Sequence, residues 1–340
     1  MNSRDDAATT GERALIQHIR SRLPAHPTSL LIGPGDDAAV LAPTRGALQV
    51  LTTDALVEGV HFDRRFSSLS DIGYKALAVN VSDIAAMGAT PEFVLLSLIL
   101  PDGFSRTELD ELLDGVLEMA AKSRTSVAGG NISRSPGPLI VDVTATGSVR
   151  PRRVLTRGGG RAGDSVYVTG SIGGAAAGLA ALKSGAVSVG GEATAGPMVG
   201  PVRRHQRPEP RLRFGSLLGR NRAASACMDL SDGLADAVRQ IAEASGTGAT
   251  IEAALLPIDP EASAWVAGQA QDPVLSALTG GDDYDLLFTV SKKLRGRFRG
   301  VQTHAQGLPV TRIGELTDGQ DLRLSREGRS EPMPEGFSHF

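Results

Sequence analysis

Acidic side chains recur beside glycines and near the predicted ends of helices and strands. The clusters are Asp36–Asp37, Asp54, Asp83, Asp229 with Asp232, and Asp282–Asp283. Carboxylates that converge repel one another, and proteins tolerate this mainly when a cation is bound. Each cluster alone is also ordinary turn chemistry, because Asp favours turns. Together, without an EF-hand loop or the Cys/His spacing of a zinc site, they favour Mg²⁺ over Ca²⁺ or Zn²⁺.

One segment places candidate metal ligands close to a histidine. An apolar run predicts a strand from Leu48 to Thr52, so the oxygen donors Thr52, Thr53 and Asp54 are expected at its end. Such donors suit a hard divalent cation, and His61 follows closely enough to contact an anion that the cation holds. For this segment alone, a polar turn with a packed histidine is the alternative.

Other residues could contact phosphates directly. Gly129–Gly130 would let a phosphate approach the backbone, and the planar guanidinium of Arg157 could reach one. A common turn and a solvated linker arginine are the respective alternatives. The few lysines include none in a P-loop sequence, so cations or arginines would have to neutralise bound phosphates.

The composition is that of an ordinary globular protein. The chain has 340 residues, 41% hydrophobic and 21% charged, and a net charge of -3, which suits two domains and gives no sign of nucleic-acid binding. The single cysteine, Cys227, excludes an internal disulfide and a Cys-rich zinc site. Without a signal-peptide core or a membrane-length apolar run, we expect a cytoplasmic protein with no membrane or nucleic-acid partner.

Hydrophobic periodicity predicts helices and strands in both halves of the chain. Predicted helices include 11–23, one from Ser70 to Gly88, one following a capping box at Ser105, and 234–245. Residues 186–200 are expected to be a loop, and Val202–Arg213 a basic extended segment. The basic and glycine-rich residues 150–163 suggest a domain boundary. The mixture of elements, without a strict βαβ repeat, predicts an α+β fold in two domains.

Several motifs follow one another in a fixed order. They are Gly35-Asp-Asp-Ala-Ala39, Thr52-Thr-Asp54 with His61-Phe62, Asn80-Val-Ser-Asp-Ile-Ala-Ala-Met-Gly88, Gly129-Gly-Asn131, Leu155-Thr-Arg157, Asp229-Leu-Ser-Asp-Gly233, Gly280-Gly-Asp-Asp-Tyr-Asp285 and Gly336-Phe-Ser-His-Phe340. This ordered set resembles the thiamine-monophosphate kinase family, part of the aminoimidazole-ribonucleotide-synthetase-like ATP-binding superfamily. The resemblance extends over residues 33–340.

The resemblance implies both a fold and a reaction. It implies an N-terminal α/β domain, residues 1–150, that binds ATP and Mg²⁺ and pairs through its sheet in a homodimer. A C-terminal α/β domain, residues 151–340, would complete the nucleotide and substrate sites. The reaction would be direct in-line transfer of the γ-phosphoryl group of ATP to thiamine monophosphate, giving thiamine diphosphate. Because the acceptor phosphate is already anionic, no covalent nucleophile or general base is expected.

The resemblance also implies roles for particular residues. The implied ligands of several Mg²⁺ ions are Asp37, Thr52, Thr53, Asp54, Asp83, Asn131, Asp229 and Asp232. The implied ATP contacts are Gly130, Asn131, Arg157 and Ser231. The implied contacts to thiamine monophosphate are His61, Asp282 and Phe337, the last by stacking on the substrate rings.

This chain departs from the family pattern at two positions. Asn131 replaces the usual Asp, so an uncharged amide oxygen would stand where a carboxylate is expected. Asp282 replaces the usual Glu, which keeps the carboxylate but shortens its reach.

Two alternatives to the kinase remain open. One is another synthetase of the superfamily, although selenophosphate synthetase would have a reactive Cys or selenocysteine near its N-terminus and the hydrogenase-maturation relative a terminal cysteine. The other is a non-catalytic nucleotide- or metal-binding protein, a hypothesis to which Asn131 gives some weight.

Overall fold

The computed structural model describes residues 11–187 and 196–336. By its internal contacts the chain divides into two compact units. The N-terminal unit comprises residues 1–84 and 90–149, and the C-terminal unit comprises residues 85–89 and 150–340. Among the described residues, no helix combines the length and apolar character needed to span a bilayer.

The N-terminal unit packs helices on a mixed sheet. Its elements are α1 (Glu12–Arg22), β1 (Leu30–Ile32), β2 (Val40–Leu41), β3 (Leu48–Val57), α2 (Leu69–Ala86), β4 (Thr90–Pro101), α3 (Arg106–Ser123), β5 (Ser126–Ser135) and β6 (Ile140–Val149). In the described part of the unit, the main sheet has the order β3-β6-β4-β5, with β4 and β5 parallel and the other pairs antiparallel.

The two faces of this sheet differ in character. Residues of β6 alternate between buried and half-buried, because successive side chains of a strand point to opposite faces. On one face, Val143 and Ala145 are buried, and Ile84 of α2 approaches Gly147. We call this the helix-covered face. The other, which we call the open face, carries Leu51, 68% exposed, and Leu95, 43% exposed.

The C-terminal unit is built on a larger sheet. Its elements are β7 (Ser165–Thr169), α4 (Gly174–Lys183), α5 (Val199–Gln206), α6 (Leu212–Asn221), β8 (Ala226–Asp229), α7 (Leu234–Ser245), β9 (Gly248–Glu252), α8 (Pro260–Gly268), α9 (Pro273–Thr279), β10 (Leu286–Val290), α10 (Arg295–Gln302), β11 (Val310–Thr317), β12 (Leu322–Arg326) and β13 (Arg329–Pro332). Among the residues described, the strand order is β13-β12-β9-β11-β7-β10-β8.

Each face of this larger sheet has its own apolar core. On one face, Val166 and Val168 cluster with Leu234 and Val238 of α7. On the other, Phe288 of β10 clusters with Phe214 of α6 and Phe298 of α10. A strand such as β10 is therefore buried along its whole length: four of its five residues are apolar, and the hydroxyl of the fifth, Thr289, lies 2.8 Å from the Ser225 hydroxyl.

The α+β prediction is confirmed, but several local predictions are wrong. Val202–Arg213 is not extended, since α5 and α6 occupy most of it. Its two prolines, Pro208 and Pro210, which would interrupt a helix, both fall in the short link between these helices. Of the predicted loop at 186–200, residues 188–195 lie outside the described part of the chain, and α5 already begins at Val199.

Candidate functional site

The first candidate ligands lie within strand β3. The strand continues to Val57, so the predicted strand end at Thr52 is wrong. Because strand side chains alternate, Thr52 and Asp54 share the helix-covered face, whereas Thr53 lies on the open face. The three adjacent oxygen donors therefore do not form a single cluster.

On the helix-covered face, β3 and α2 bring two oxygens together. The hydroxyl of Thr52 donates to Asp83 Oδ2 at 2.5 Å, and both side chains are half-buried. One helical turn earlier, Asn80 is fully buried; its Nδ2 donates to Ala76 O at 3.0 Å. The Asn80 amide oxygen has no hydrogen-bond partner among the described residues. This face thus offers hydroxyl and carboxylate oxygens close to an unsatisfied buried amide oxygen.

On the open face, Thr53 belongs to a different group. Its hydroxyl lies 3.1 Å from Asp142 Oδ1 and 3.2 Å from the Thr144 hydroxyl. Asn131 of β5 pairs with Ser97 of β4, which pairs in turn with Asp142 of β6. Asn131 is therefore two strands, or about 10 Å, away from Asp142 along one row of the open face.

The donor chemistry fits Mg²⁺, although no acidic cluster is preformed. Across residues 11–187 and 196–336, no three His, Cys, Asp or Glu side chains form a group that could hold a metal ion. Mg²⁺ needs few protein ligands, because water and phosphate oxygens complete its octahedral shell. Hydroxyls such as that of Thr52 would have to supplement the carboxylates. Asp37 is exposed on the segment after β1, where its N–H donates to Asp36 Oδ1 at 2.9 Å.

His61 occupies the turn that follows β3, and its ring is fixed by that turn. The Val57 N–H donates to His61 Nδ1 at 3.1 Å, and the His61 N–H donates back to Val57 O at 2.9 Å. Because Nδ1 accepts a hydrogen bond, the proton of the neutral ring resides on Nε2. Lys75, which is buried, donates to His61 O at 3.4 Å. The half-buried ring can therefore offer an Nε2–H donor to an anion.

Gly130 lies within β5, so the alternative of a common turn at Gly129–Gly130 is wrong. Its φ is +156°, and a Cβ there would lie 1.9 Å from Leu96 O on the neighbouring strand. The pairing register of β4 and β5 shifts nearby, between Val94 and Leu95. Only glycine fits this position, and its exposed backbone is open to a ligand.

In the C-terminal unit, the segment joining β8 to α7 carries three candidate residues. Asp229, at the end of β8, is 3% exposed, and Ser231 Oγ donates to Asp232 Oδ2 at 3.1 Å. The segment ends at the N-terminus of α7, where unpaired N–H groups and the helix dipole favour anions. Burial, reinforced by the Asp229 charge, raises the pKa of the Cys227 thiol, which is therefore unsuited to act as a nucleophile.

The acidic residues of Gly280–Asp285 each have a separate partner. Asp283 accepts the backbone N–H groups of Gly173 and Ala175, at 2.6 and 3.1 Å. Burial raises the pKa of Asp283 to about 7, although Arg204 and these two donors oppose that rise. Asp282 lies 3.2 Å from His205 Nδ1 and accepts the Tyr284 hydroxyl at 3.2 Å.

Asp285 is the most deeply buried of these carboxylates. It is 0% exposed and pairs with Arg204 at 2.9 Å and with Arg211 at 2.6 Å. Thr169 donates to it at 2.6 Å. Burial alone would lower the pKa of the Arg211 guanidinium. The neighbouring Asp285 carboxylate outweighs this effect, so the pKa is raised. This network fixes the start of β10 and, with it, Asp282.

Arg157 is exposed and held by helix α7. Its Nη1 donates to Gln240 Oε1 at 2.5 Å, and Gln240 Nε2 donates to Asp236 Oδ2 at 2.5 Å. A Cβ on Gly336, the last described residue, would lie 2.6 Å from Asp236 Cβ. Phe337 follows it and lies outside the described residues.

Sequence reasoning missed the residues that hold the candidate ligands. They are Arg204, His205, Arg211 and Gln240. A weak signal for the two arginines was charge: the run 203–213 has five arginines and one acid, Glu209, while the acids of Asp282–Asp285 have no basic residue beside them. His205, within that run, gave no signal of its own. Gln240 gave no signal.

Comparison with known proteins identifies the family. The model of "AIR synthase related protein, N-terminal domain" matches residues 35–149, and that of the corresponding C-terminal domain matches residues 161–327. Thiamine-monophosphate kinase from Escherichia coli (strain K12) is 38% identical over 97% of this chain and 98% of its own length.

Solved structures agree with this comparison. Thiamine-monophosphate kinase from Stenotrophomonas maltophilia K279a is 36% identical, with a TM-score of 0.82, over 94% of this chain and 98% of that one. A second structure, of AaThiL complexed with AMPPCP and TMP, is 32% identical, with a TM-score of 0.76, over 97% of both chains. The chain therefore belongs to the thiamine-monophosphate kinase family, with the two-domain AIR-synthase-related fold.

Proposed function

We propose that this chain transfers the γ-phosphoryl group of ATP to the phosphate of thiamine monophosphate, giving thiamine diphosphate and ADP. The observation that carries the proposal is on β3 and the turn after it: the Thr52–Asp83 oxygen pair is followed by His61, whose Nε2–H can bind an anion. The AMPPCP and TMP present in the AaThiL complex support the same pair of substrates.

The reaction needs positioning and charge neutralisation more than proton transfer. The acceptor oxygen is already anionic, so the chain's main task is to bring two polyanions together in line. When bound, Mg²⁺ ions would supply positive charge at the phosphate oxygens. The residues proposed to hold them are Asp37, Thr52, Thr53, Asp54, Asp83, Asn131, Asp229 and Asp232.

We assign ATP contacts to residues in both units. The exposed backbone of Gly130 and the amide of Asn131 would contact ATP in the N-terminal unit. In the C-terminal unit, Ser231 stands just before α7, and Arg157 can pair with a phosphate through its guanidinium. These contacts make residues 1–150 the proposed ATP- and Mg²⁺-binding domain, and give 151–340 a share in nucleotide and substrate binding.

The proposed contacts to thiamine monophosphate have different chemistry. His61 would donate to the acceptor phosphate. Asp282, a carboxylate, suits the positively charged thiazolium or the amino group of the pyrimidine. Phe337 would stack on one of the rings.

We also propose a homodimer that forms through the open face of the N-terminal sheet. Leu51 and Leu95 are large apolar side chains exposed on that face, and a second copy would bury them. Light scattering would test this: the unaltered chain should be dimeric, whereas Leu51→Glu should shift it to monomer. A monomeric unaltered chain would refute the dimer. A cytoplasmic location, where ATP is available, belongs to the same proposal.

A coupled assay of ADP release, with and without thiamine monophosphate, tests the function. We expect release that depends on thiamine monophosphate and Mg²⁺. The competing hypothesis of a nucleotide- or metal-binding protein, which rests on Asn131, predicts ATP binding without turnover.

A further inference from the structure

Each carboxylate oxygen of Asp282 has a close polar neighbour. The Tyr284 hydroxyl donates to Oδ1 at 3.2 Å. His205 Nδ1 lies 3.2 Å from Oδ2, a contact at ion-pair distance rather than an aligned hydrogen bond. The side chain of Asp282 is 29% exposed, whereas that of His205 is 3% exposed. The carboxylate is thus oriented from inside the unit while part of it faces outward.

The backbone around Asp282 is constrained as well. Asp282 and Tyr284 have φ values of 70° and 50°, in the left-handed region that residues with side chains seldom adopt. Hydrogen bonds hold them there: the Asp282 N–H donates to Ser231 O at 2.8 Å, and the Tyr284 N–H donates to Leu230 O at 2.9 Å. The position of the Asp282 carboxylate therefore depends on both backbone and side-chain partners.

His205 is itself fixed relative to this segment. It is the penultimate residue of α5, and the residue before it, Arg204, pairs with Asp285 at 2.9 Å and donates to Ser171 O at 2.6 Å. Helix α5 is thereby anchored to Asp285, which lies three residues after Asp282 in the chain. A buried imidazole on an anchored helix has little freedom to move away from the carboxylate that it faces.

The length of the acidic side chain explains why this pairing matters in this chain. Glutamate would carry its carboxylate one methylene farther from the backbone. With Asp282 the carboxylate stays close to the segment itself, where His205 and Tyr284 reach it. A short side chain that contacts a substrate must be held in one orientation by its neighbours, because it cannot extend to compensate for a wrong orientation.

We propose that His205 is a positioning residue for thiamine monophosphate, an inference that rests on the proposed function. It holds the Asp282 carboxylate in the orientation that binds the acceptor, and Tyr284 holds the other oxygen. Without His205 the carboxylate would rotate, so binding of thiamine monophosphate would weaken while binding of ATP would not.

Steady-state kinetics of the full chain, with each substrate varied in turn, would test this. His205→Leu should raise KM for thiamine monophosphate roughly tenfold, as for other residues that orient a ligand-binding side chain, and leave KM for ATP unchanged. His205→Asn should restore most of the affinity, because its amide nitrogen stands near the place of Nδ1. His304→Leu, at an exposed histidine of the same unit, is the matched control and should have no effect.

A double-mutant cycle separates positioning from a general structural role. If His205 acts through Asp282, then His205→Leu should have no further effect on KM once Asp282→Asn is present. Additive effects, or equal rises in KM for both substrates, would overturn the inference. Should His205→Leu fail to fold, Tyr284→Phe tests the other oxygen, and an unchanged KM for thiamine monophosphate would then refute the idea.

Binding of thiamine monophosphate, measured by calorimetry, keeps this inference distinct from the proposed function. If the unaltered chain neither binds nor phosphorylates thiamine monophosphate, the function fails and the inference with it. If it does both, and folded His205→Leu binds equally well, only the inference fails.

Discussion

The ring of His61 allows a prediction that depends on which nitrogen carries the proton. Because Nδ1 accepts the Val57 N–H at 3.1 Å, the nitrogen of the neutral ring that carries the proton, and so can donate to the acceptor phosphate, is Nε2. His61→Gln places an amide nitrogen near the position of Nε2. His61→Asn places an oxygen near Nδ1, so it keeps the bond to Val57 but loses the donor to the phosphate.

The size of the effect follows from one hydrogen bond to a charged group. Such a bond contributes about 1.5–3 kcal/mol, which corresponds to roughly 10- to 100-fold in affinity. His61→Asn should therefore raise KM for thiamine monophosphate by about that factor, and His61→Gln by clearly less. KM for ATP should stay the same in both variants, because the proposed ATP contacts lie elsewhere.

Initial rates with each substrate varied at saturating levels of the other provide the assay, and thermal denaturation checks that both variants fold. Equal rises in KM for thiamine monophosphate in the Gln and Asn variants would show that Nε2 does not donate to the phosphate. A larger loss in His61→Gln would mean that the imidazole serves the turn through Nδ1 rather than the phosphate.

Three further predictions concern other parts of the structure. Burial raises the pKa of Asp283 to about 7 from an ordinary 3.8. The protonated Asp283 side chain therefore contributes fully to the unfolding free energy below about pH 4. This contribution is lost as pH rises through 7, a change on the order of 4 kcal/mol. Urea unfolding at several pH values should show this slope in the unaltered chain and a flatter one in Asp283→Asn. Gln240→Ala should free Arg157 and raise KM for ATP about three- to tenfold, with KM for thiamine monophosphate unchanged, by initial-rate kinetics. Gly130→Ala would place a Cβ 1.9 Å from Leu96 O and should lower the unfolding free energy by about 3 kcal/mol or more; an unchanged melting temperature would contradict the described backbone.

Elements with strong local signals could be predicted from the sequence. Helix α7 has the predicted bounds, because a helical stripe of apolar residues ended by Gly246 leaves few alternatives. The capping box at Ser105 is present as predicted, with Glu108 bonded back to the Ser105 N–H at 2.7 Å.

The sequence could not show how the candidate ligands are distributed. Thr52 and Thr53 are neighbours in sequence but point to opposite faces, and only the continuation of β3 to Val57 decides this. The prolines of Val202–Arg213 favour an extended segment, but the carboxylate that pairs with Arg204, that of Asp285, lies about 80 residues later in the chain. Long-range pairs such as His205 with Asp282 depend on the tertiary fold, which no local pattern encodes.

The central claim is that the acceptor is a phosphate group. Phosphorus NMR of the products formed from ATP and Mg²⁺, with either thiamine monophosphate or thiamine as acceptor, tests it most directly. We predict thiamine diphosphate and ADP in equal amounts from thiamine monophosphate, and no transfer to thiamine. Transfer to thiamine alone, or ATP bound but unchanged in the presence of thiamine monophosphate, would contradict the claim.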